Sequence, residues 1–480
     1  MSSAPVSLPL GADYAALLGP FIVAIAPLLI LFVDLFFRRG GRTRRGVAVA
    51  IAILALLAAG CVEATQYGHD YVAFAGAFVQ GGFSVVFSEI IIIATIATLF
   101  LSLGIGRDDQ VAGTTALLLW SASGAMLMAG ANNLMIVFLG LELLSLALYC
   151  LCAMSPRRTA RESALKYLIL SSMASGFLLY GSALMFGATG SVAFSALATA
   201  PLSPLLALGA GLFLIGLAFK LSLVPFHVWT PDVYEGAPLP VTAFMSVATK
   251  AGTLGVLARF AYAALPPDRA AAILVPLWVV AALSMIIGNL AALAQVDMKR
   301  LLAYSGIAQV GYIVASFAGQ TPLGLRYAVF YLAAYTFMNL GAFAVVALMA
   351  RDGDAVVGLG RFAGLAYRRP LLAGAMTFFL IGLAGLPPTA GFTGKVLILA
   401  ATTGAGFAWL AGILILGTAI SAYVYFKIVR AMFARVDPAH VRDERSPNAL
   451  PWLAVGVCAA ATFVLGLVPL TPSNILPHVR

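Results

Sequence analysis

Charge is what this sequence has least of. Of its 480 residues only 10% are Asp, Glu, Lys or Arg, while 62% are hydrophobic and the mean hydropathy is +1.02. A soluble domain carries about 25% charged residues, so a water-soluble globular protein is excluded. Cysteine is also scarce. Cys61, Cys150, Cys152 and Cys458 form no C-x-x-C pair, so neither an iron–sulfur cluster nor a zinc site is encoded. No glycine-rich nucleotide loop follows a strand, because no strand pattern is found, and no redox cofactor or metal is expected on this chain. The opening stretch "MSSAPVSLPLGADYAALLGP" has no basic n-region, and no cleavable leader is expected.

What the sequence has in abundance is apolar runs of about 17 to 25 residues, each long enough to cross a bilayer as a helix. Fourteen are counted, centred near 26, 54, 97, 121, 143, 174, 212, 250, 283, 309, 337, 386, 418 and 460. Barrel strands would be shorter and alternating. The expected fold is therefore an all-α polytopic membrane protein of about fourteen transmembrane helices. The net charge of +10 reads as a topology signal rather than a nucleic-acid patch. Arginines gather in alternate connections ("RRGGRTRR", "SPRRTAR", "RFAGLAYRRP", "RVDPAHVRDER"), while "GANN", "GQTP" and "TTGAG" have none. By the positive-inside bias the arginine-rich side is cytoplasmic and both termini lie outside. The longest outer connection, about 63 to 86, suggests an interfacial strand or hairpin.

The hexamer "FLIGLA" occurs at 213–218 and again at 379–384. One helix earlier, "LKYLILSSMASGFLLYG" (165–181) aligns with "LRYAVFYLAAYTFMNLG" (325–341), placing Lys166 on Arg326 and Gly181 on Gly341. This points to duplication, with spans 4–8 (111–265) and 9–13 (266–435) as the copies, spans 1–3 (1–110) before them and span 14 (436–480) after. Five spans is an odd number, so the second copy must be inverted. Each copy is broken after its hexamer, by "LSLVPFHVWTPDVYEGAPLP" and by "GLPPTAGF". Proline removes a backbone donor, and carbonyls so freed are tolerated in a membrane only against protein or water. Inverted repeats with matched broken helices place a working site near the midplane.

Only six of the 28 basic residues are lysine: Lys166, Lys220, Lys250, Lys299, Lys395 and Lys427. Arginine stays charged under essentially all conditions, whereas lysine is the basic side chain whose protonation its surroundings can change. Lysine inside spans therefore suggests groups that titrate. Lys395 follows Pro388 by about 10 Å of helix and Lys250 follows Pro240 by about 15 Å, while Lys220 ends an apolar stretch before the Pro225 break. Glu142 is the one acidic residue of span 5, near its centre. A buried carboxylate beside a buried ammonium can act as a proton switch. A purely structural ion pair is the alternative for these four. Lys299 abuts Arg300 and reads as a cytoplasmic flank; Lys427, ahead of Arg430, reads as snorkelling. Lys166 divides evenly between snorkelling and a channel role. His227 is a possible relay or a hydrogen-bonded structural histidine. Asp34 and Glu89 read as interfacial, and Tyr304, Tyr312 and Tyr335 as packing.

The stretches "KLSLVPFHVWTPDVYEGAPLPVTAFMSVATKAG" (220–252) and "GLPPTAGFTGKVLILAA" (385–401) resemble the antiporter-like membrane subunits of respiratory complex I, and within them the N branch, across essentially the whole chain. "PPTAGFTGK" favours N over its larger siblings; M is expected to carry an acidic residue at the position of Lys395. L carries a long lateral helix that the residues after span 14 leave no room for. The resemblance implies that Glu142 modulates Lys220, that Lys220 serves a first half-channel, that Lys250 is a central relay and that Lys395 connects to the outside; a family lysine also matches Lys166. It implies a proton-translocating subunit of a bacterial plasma-membrane NADH:quinone oxidoreductase, in which NADH, FMN, iron–sulfur clusters and quinone belong to partner subunits. The same fold and core lysines also suit a subunit of a multi-subunit sodium/proton antiporter. A lipid- or pigment-binding scaffold would leave the repeat unexplained.

Overall fold

The computed structural model describes residues 11–37, 42–105, 110–350, 357–435 and 450–467. The chain begins with α1 (Gly11–Ala16), α2 (Leu18–Asp34) and α3 (Arg42–Gln66). The expected outer hairpin follows: β1 (Tyr71–Ala73) pairs antiparallel with β2 (Phe78–Gln80), Val72 opposite Val79. Then come α4 (Gly82–Ile105), α5 (Val111–Gly130), α6 (Leu134–Ala153), α7 (Arg158–Thr189), the short α8 (Phe194–Thr199) and α9 (Pro204–Lys220). The first break separates α9 from α10 (Trp229–Gly236) and α11 (Leu239–Arg259). Next are α12 (Pro267–Leu293), α13 (Met298–Ala315), α14 (Pro322–Met349), α15 (Leu365–Arg368) and α16 (Pro370–Ala384). After the second break come α17 (Ala390–Gly404), α18 (Ala408–Phe433) and α19 (Leu450–Leu467).

Among the described residues the fold is helical apart from that hairpin, and ten of the helices are long and apolar enough to cross a membrane. Shorter apolar helices, α2, α9 and α16, stand beside them. Helices predominate because a bilayer offers no water to backbone groups, which must pair within the segment. Their starts are built locally. Asn133, Ser203 and Thr321 accept the backbone N–H of Ile136, Leu206 and Gly324, and Asp297 accepts from Lys299 and Arg300. Ends at Gly190 and Gly385 use positive φ, 69° and 82°, where a Cβ would be strained. Thirteen of the expected centres fall inside a helix; residue 386 falls in the second break. The basic stretch 436–449 lies outside the described residues.

Burial identifies the middle of the bundle. The membrane-length stretch of α11 is buried throughout, whereas only about a third of the α3 and α18 windows is. Around α11 pack α4, α5, α13 and α14. Several helix pairs approach closely at glycine. A Cβ on Gly216 (α9) would lie 2.6 Å from Leu178 Cβ (α7), and one on Gly382 (α16) would lie 2.7 Å from Met338 Sδ (α14). Gly181 on α7 meets the backbone of Phe213, and Gly341 on α14 meets the ring of Phe379. In the sequence alignment Leu178 corresponds to Met338, Gly181 to Gly341, Phe213 to Phe379 and Gly216 to Gly382. The same two contacts therefore recur in both pairs of helices.

Candidate functional site

The three lysines expected within the spans lie in the interior, each on a different helix. Lys220, Lys250 and Lys395 are 2%, 1% and 5% exposed, for a side chain almost never fully buried without a partner. Each is held differently. Lys220, the last residue of α9, donates to Ser145 Oγ at 2.7 Å and to Tyr167 Oη at 2.8 Å. Tyr167 is fixed by stacking on Trp229, ring centroids 4.7 Å apart. Glu142 lies one turn before Ser145 on α6, and its Oε1 is buried without a hydrogen-bond partner. No ion pair joins Glu142 to Lys220 among the described residues. Ser145 takes the contact that the sequence suggested for the carboxylate.

Lys395 sits at the second break. Its ammonium donates to the carbonyls of Leu383 at 3.0 Å and Ala384 at 3.1 Å, and it lies 4.8 Å from the Tyr312 ring centroid. These carbonyls belong to the last turn of α16, freed because Pro387 and Pro388 cannot continue the helix. At the first break the corresponding carbonyls, Leu217 O and Ala218 O, accept the backbone N–H groups of Leu221 and Leu223, and Trp229 Nε1 donates to the next carbonyl, Phe219 O, at 3.0 Å alongside Ser222 N. The offset of 166 that superposes the two hexamers places Trp229 opposite Lys395. One repeat closes its helix end with backbone amides and an indole, which keep their protons; the other uses an amine, which can give it up.

Lys250, on α11, lies between them with no hydrogen-bond partner among the described residues. Its Nζ lies against Gly306 of α13, where an added Cβ would come within 3.0 Å of it and 2.9 Å of Tyr335 Oη. Tyr335 donates to Ser246 O at 3.2 Å, and Asn339 to Ser246 Oγ at 2.6 Å. From Gly306 a polar seam follows α13. Ser305 shares a 2.6 Å hydrogen bond with Tyr425, Gln309 donates to Tyr425 Oη at 3.3 Å and to Leu383 O at 3.1 Å, and Tyr331 donates to Gln309 Oε1. Leu383 O is also Lys395's acceptor, so the seam reaches from beside Lys250 to Lys395.

The other candidates lie elsewhere. Lys166 is 44% exposed and pairs with Glu162 at 2.9 Å and Asp232 at 3.1 Å. Arg300 binds the same Asp232 at 2.6 Å and Glu235 at 2.9 Å, tying α10 to both α7 and α13. Burial works to raise the Asp232 carboxyl, but the hydrogen bonds and charges of Arg300 and Lys166 outweigh it and hold it below the ordinary aspartate value. His227 is half-buried with its Nδ1 unpartnered, its ring 6.4 Å from that of Tyr304. Lys299 is not a solvated flank; it is fully buried and donates to Ala237 O at 2.9 Å, at the end of α10. Lys427 donates to Leu293 O at 2.9 Å, and Asp34 pairs with Arg44 at 2.5 Å. Among the described residues no group of His, Cys, Asp and Glu could hold a metal.

Sequence reasoning missed Ser145, Tyr167, Ser305, Gln309, Tyr331 and Tyr425. Gln309 had a signal, since a polar side chain within an apolar span is costly unless it has work or a partner. The tyrosines had none.

Residues 131–421, which hold both breaks and all three lysines, match the family model described as NADH:quinone oxidoreductase/Mrp antiporter, TM. The chain is 41% identical over 473 residues to NADH-quinone oxidoreductase subunit N 1 of Symbiobacterium thermophilum, covering 95% of this chain and 96% of that one. Among solved structures it is similar to a chain of respiratory complex I from Thermus thermophilus, at TM-score 0.83 and 34% identity over 95% and 99% of the two chains. A chain of the Mrp complex from Dietzia sp. DQ12-45-1b has the same fold, at TM-score 0.81 and 22% identity over 95% and 94%.

Proposed function

The chain belongs to the NADH:quinone oxidoreductase/Mrp antiporter family of membrane subunits, in its NADH-quinone oxidoreductase subunit N branch, and from that premise we propose that it translocates protons through its buried lysines. The observation that carries the reading is the row itself: buried Lys220 and Lys395 at the two helix breaks and buried Lys250 midway along α11, the last with no acceptor among the described residues. An ammonium and a neutral amine need different surroundings, and the three sites differ in what they offer. Lys220 has two hydroxyl oxygens and a carboxylate a turn away, Lys250 has nothing to donate to among the described residues, and Lys395 has two carbonyls. Redox events in partner subunits that hold NADH, FMN, iron–sulfur clusters and quinone bias Glu142 against Lys220. Charge then shifts to Lys250 and, along the α13 seam, to Lys395. Lys166 and His227 would serve the approach to Lys220. This chain itself binds no redox group and no metal in the reading, and it contacts lipid and other membrane subunits, not nucleic acid.

Fourteen spans complete the proposal, with residues 111–265 and 266–435 as inverted five-helix copies and both termini outside a bacterial plasma membrane. The glycine contacts that recur in both pairs of helices support the duplication, and the alternation of arginine-rich connections supports the topology. The antiporter reading shares the fold but has the weaker sequence likeness. The deciding experiment isolates the tagged chain in its assembly and measures inhibitor-sensitive NADH:quinone turnover and proton uptake into vesicles. Flavin and iron–sulfur subunits should co-purify, and Lys220→Ala should cut coupled turnover and pumping. A cofactor-free assembly exchanging sodium for protons would select the antiporter reading. Normal pumping by assembled Lys220→Ala would reject the relay.

A further inference from the structure

Away from the lysine row, a cavity of about 480 Å³ opens between α4, α14 and α19, walled by Val86, Ile90, Ile93, Val329, Phe337 and Leu465. It is almost wholly apolar, with two charged exceptions: Glu89 on α4 and Arg326 on α14. The two are not paired with each other, and neither makes a hydrogen bond or ion pair among the described residues. That is unusual for Arg326. Its counterpart in the other repeat, Lys166, has two carboxylates. Arg326 also lies on the arginine-poor side of the chain, four residues into α14, where the charge bias gives no reason for a guanidinium. Glu89 has no cationic partner either: its carboxylate rests near Gly60, where a Cβ would lie 3.4 Å from both oxygens, and its charged neighbour on α3 is another carboxylate, Glu63.

We propose that this groove is a binding site for a phospholipid with a primary-ammonium headgroup, its phosphate on Arg326, its ammonium on Glu89 and an acyl chain running down α14 toward Phe337. Guanidinium–phosphate and ammonium–carboxylate contacts are charge-assisted hydrogen bonds, stronger than neutral ones. Only an occupant bearing both charges satisfies both walls. A choline headgroup has no N–H to donate, and a glycerol headgroup has no cation. Tyr67, one residue past α3, lines the same cavity, which sets its polar rim at the depth where tyrosines gather at membrane–water boundaries. From Arg326 to Phe337 the α14 wall is about 16 Å long, roughly half the ~30 Å hydrocarbon core and therefore matched to a chain within one leaflet. The volume is that of a small-molecule pocket, too small for a transmembrane helix about 10–12 Å across. This inference stands apart from the proton relay and survives its failure.

The test reconstitutes the intact assembly in vesicles of equal parts phosphatidylethanolamine and phosphatidylglycerol. A trace of one or the other carries a photoreactive acyl chain, and labelled peptides are identified by mass spectrometry. Ethanolamine lipid should label α4, α14 and α19 around Ile93, Phe337 and Leu465 in preference to glycerol lipid. Arg326→Met should reduce that labelling about tenfold, the loss of one charge-assisted contact, while Arg326→Lys retains most of it. Glu89→Gln should abolish the preference for ethanolamine while leaving labelling in place, and it decides the matter alone if Arg326→Met does not assemble. Equal labelling by both lipids in wild type and variants would mean ordinary surrounding lipid and overturn the site. So would a groove free of lipid label and cross-linked instead to another subunit.

Discussion

At the scale of single residues, three lysines of one chemical kind occupy three different environments, and substitution should separate them. Lys250→Met removes a buried ammonium that has no acceptor among the described residues and replaces it with an apolar chain of similar length. Exchanging a buried charge for a well-packed apolar group is often neutral or stabilising. The variant should assemble with thermal stability equal to or above wild type while losing proton pumping. Lys395→Met removes the donor from Leu383 O and Ala384 O. Leaving buried acceptors unmet costs about 1–3 kcal/mol, softened here because Gln309 also donates to Leu383 O. That variant should lose pumping and also unfold at lower temperature. Paired melting curves and vesicle pumping assays on the two variants check the contrast; equal destabilisation would show that Lys250 has a partner after all. The lysines themselves were legible in the sequence because a lysine inside an apolar run is conspicuous. Their partners were not. Ser145 and Tyr167 are ordinary residues 75 and 53 positions from Lys220, and only the folded packing joins them. Lys299 was misread for a related reason: adjacency to Arg300 suggests a solvated flank, but Arg300 points to the α10 carboxylates while Lys299 turns inward.

At the scale of elements, the two broken helices were legible because proline and the repeated hexamer mark them, and the contacts beside them make distinct predictions. Gly216 and Gly382 are equivalent positions with unequal neighbours. A Cβ on Gly216 meets Leu178 Cβ, which is fixed to the backbone of α7, whereas a Cβ on Gly382 meets the thioether of Met338, which can swing aside. Gly216→Ala should therefore destabilise by about 1–3 kcal/mol, the usual toll of overpacking, and Gly382→Ala by distinctly less, read from the melting of the purified assembly. The short helix α10 hangs between the repeats on Asp232, held by Lys166 from α7 and Arg300 from α13. Because these cations hold its carboxyl below the ordinary value, the stabilisation is present above the unfolded-state value. It is lost as pH falls through the lower folded-state value. The protection factors of the α10 amides, with the intrinsic pH dependence of exchange divided out, should be flat through neutral and mildly acidic pH and fall only in stronger acid. Asp232→Asn should show lower protection at neutral pH and lose that acid dependence of the protection factors. Nothing in the sequence set Asp232 apart from the other charges near a helix end; its role comes from two helices meeting over it.

At the scale of the whole molecule, the question is how the lysine at one break informs the lysine at the other. Duplication supplies two similar helix ends, but the first is capped by backbone amides with the Trp229 indole and the second by Lys395, which makes their caps chemically unlike. Only the second can change its protonation. The line from centre to second break runs along α13, whose Gly306 leaves room for Lys250 and whose Ser305 and Gln309 carry hydrogen bonds onward to Tyr425, Tyr331 and Leu383 O. The sequence shows α13 as one more apolar run, because Gln309's partners lie 22 to 116 positions away. Gln309→Leu isolates this link. It keeps the volume, leaves all three lysines and Glu142 in place, and removes both the donor to Leu383 O and the acceptor for Tyr331. If charge passes along α13, the assembled variant should lose pumping nearly as fully as Lys395→Met. Lys395's own two carbonyl contacts remain, so its melting temperature should fall less. Measuring proton uptake and NADH:quinone turnover together sharpens the outcome. A break in transmission predicts that both fall, since turnover is coupled to transport. Turnover that persists without uptake would mean that the seam seals the path against leakage instead of carrying it. Unchanged pumping would move the route off α13, leaving Lys250 and Lys395 to communicate through the packing of α14 alone.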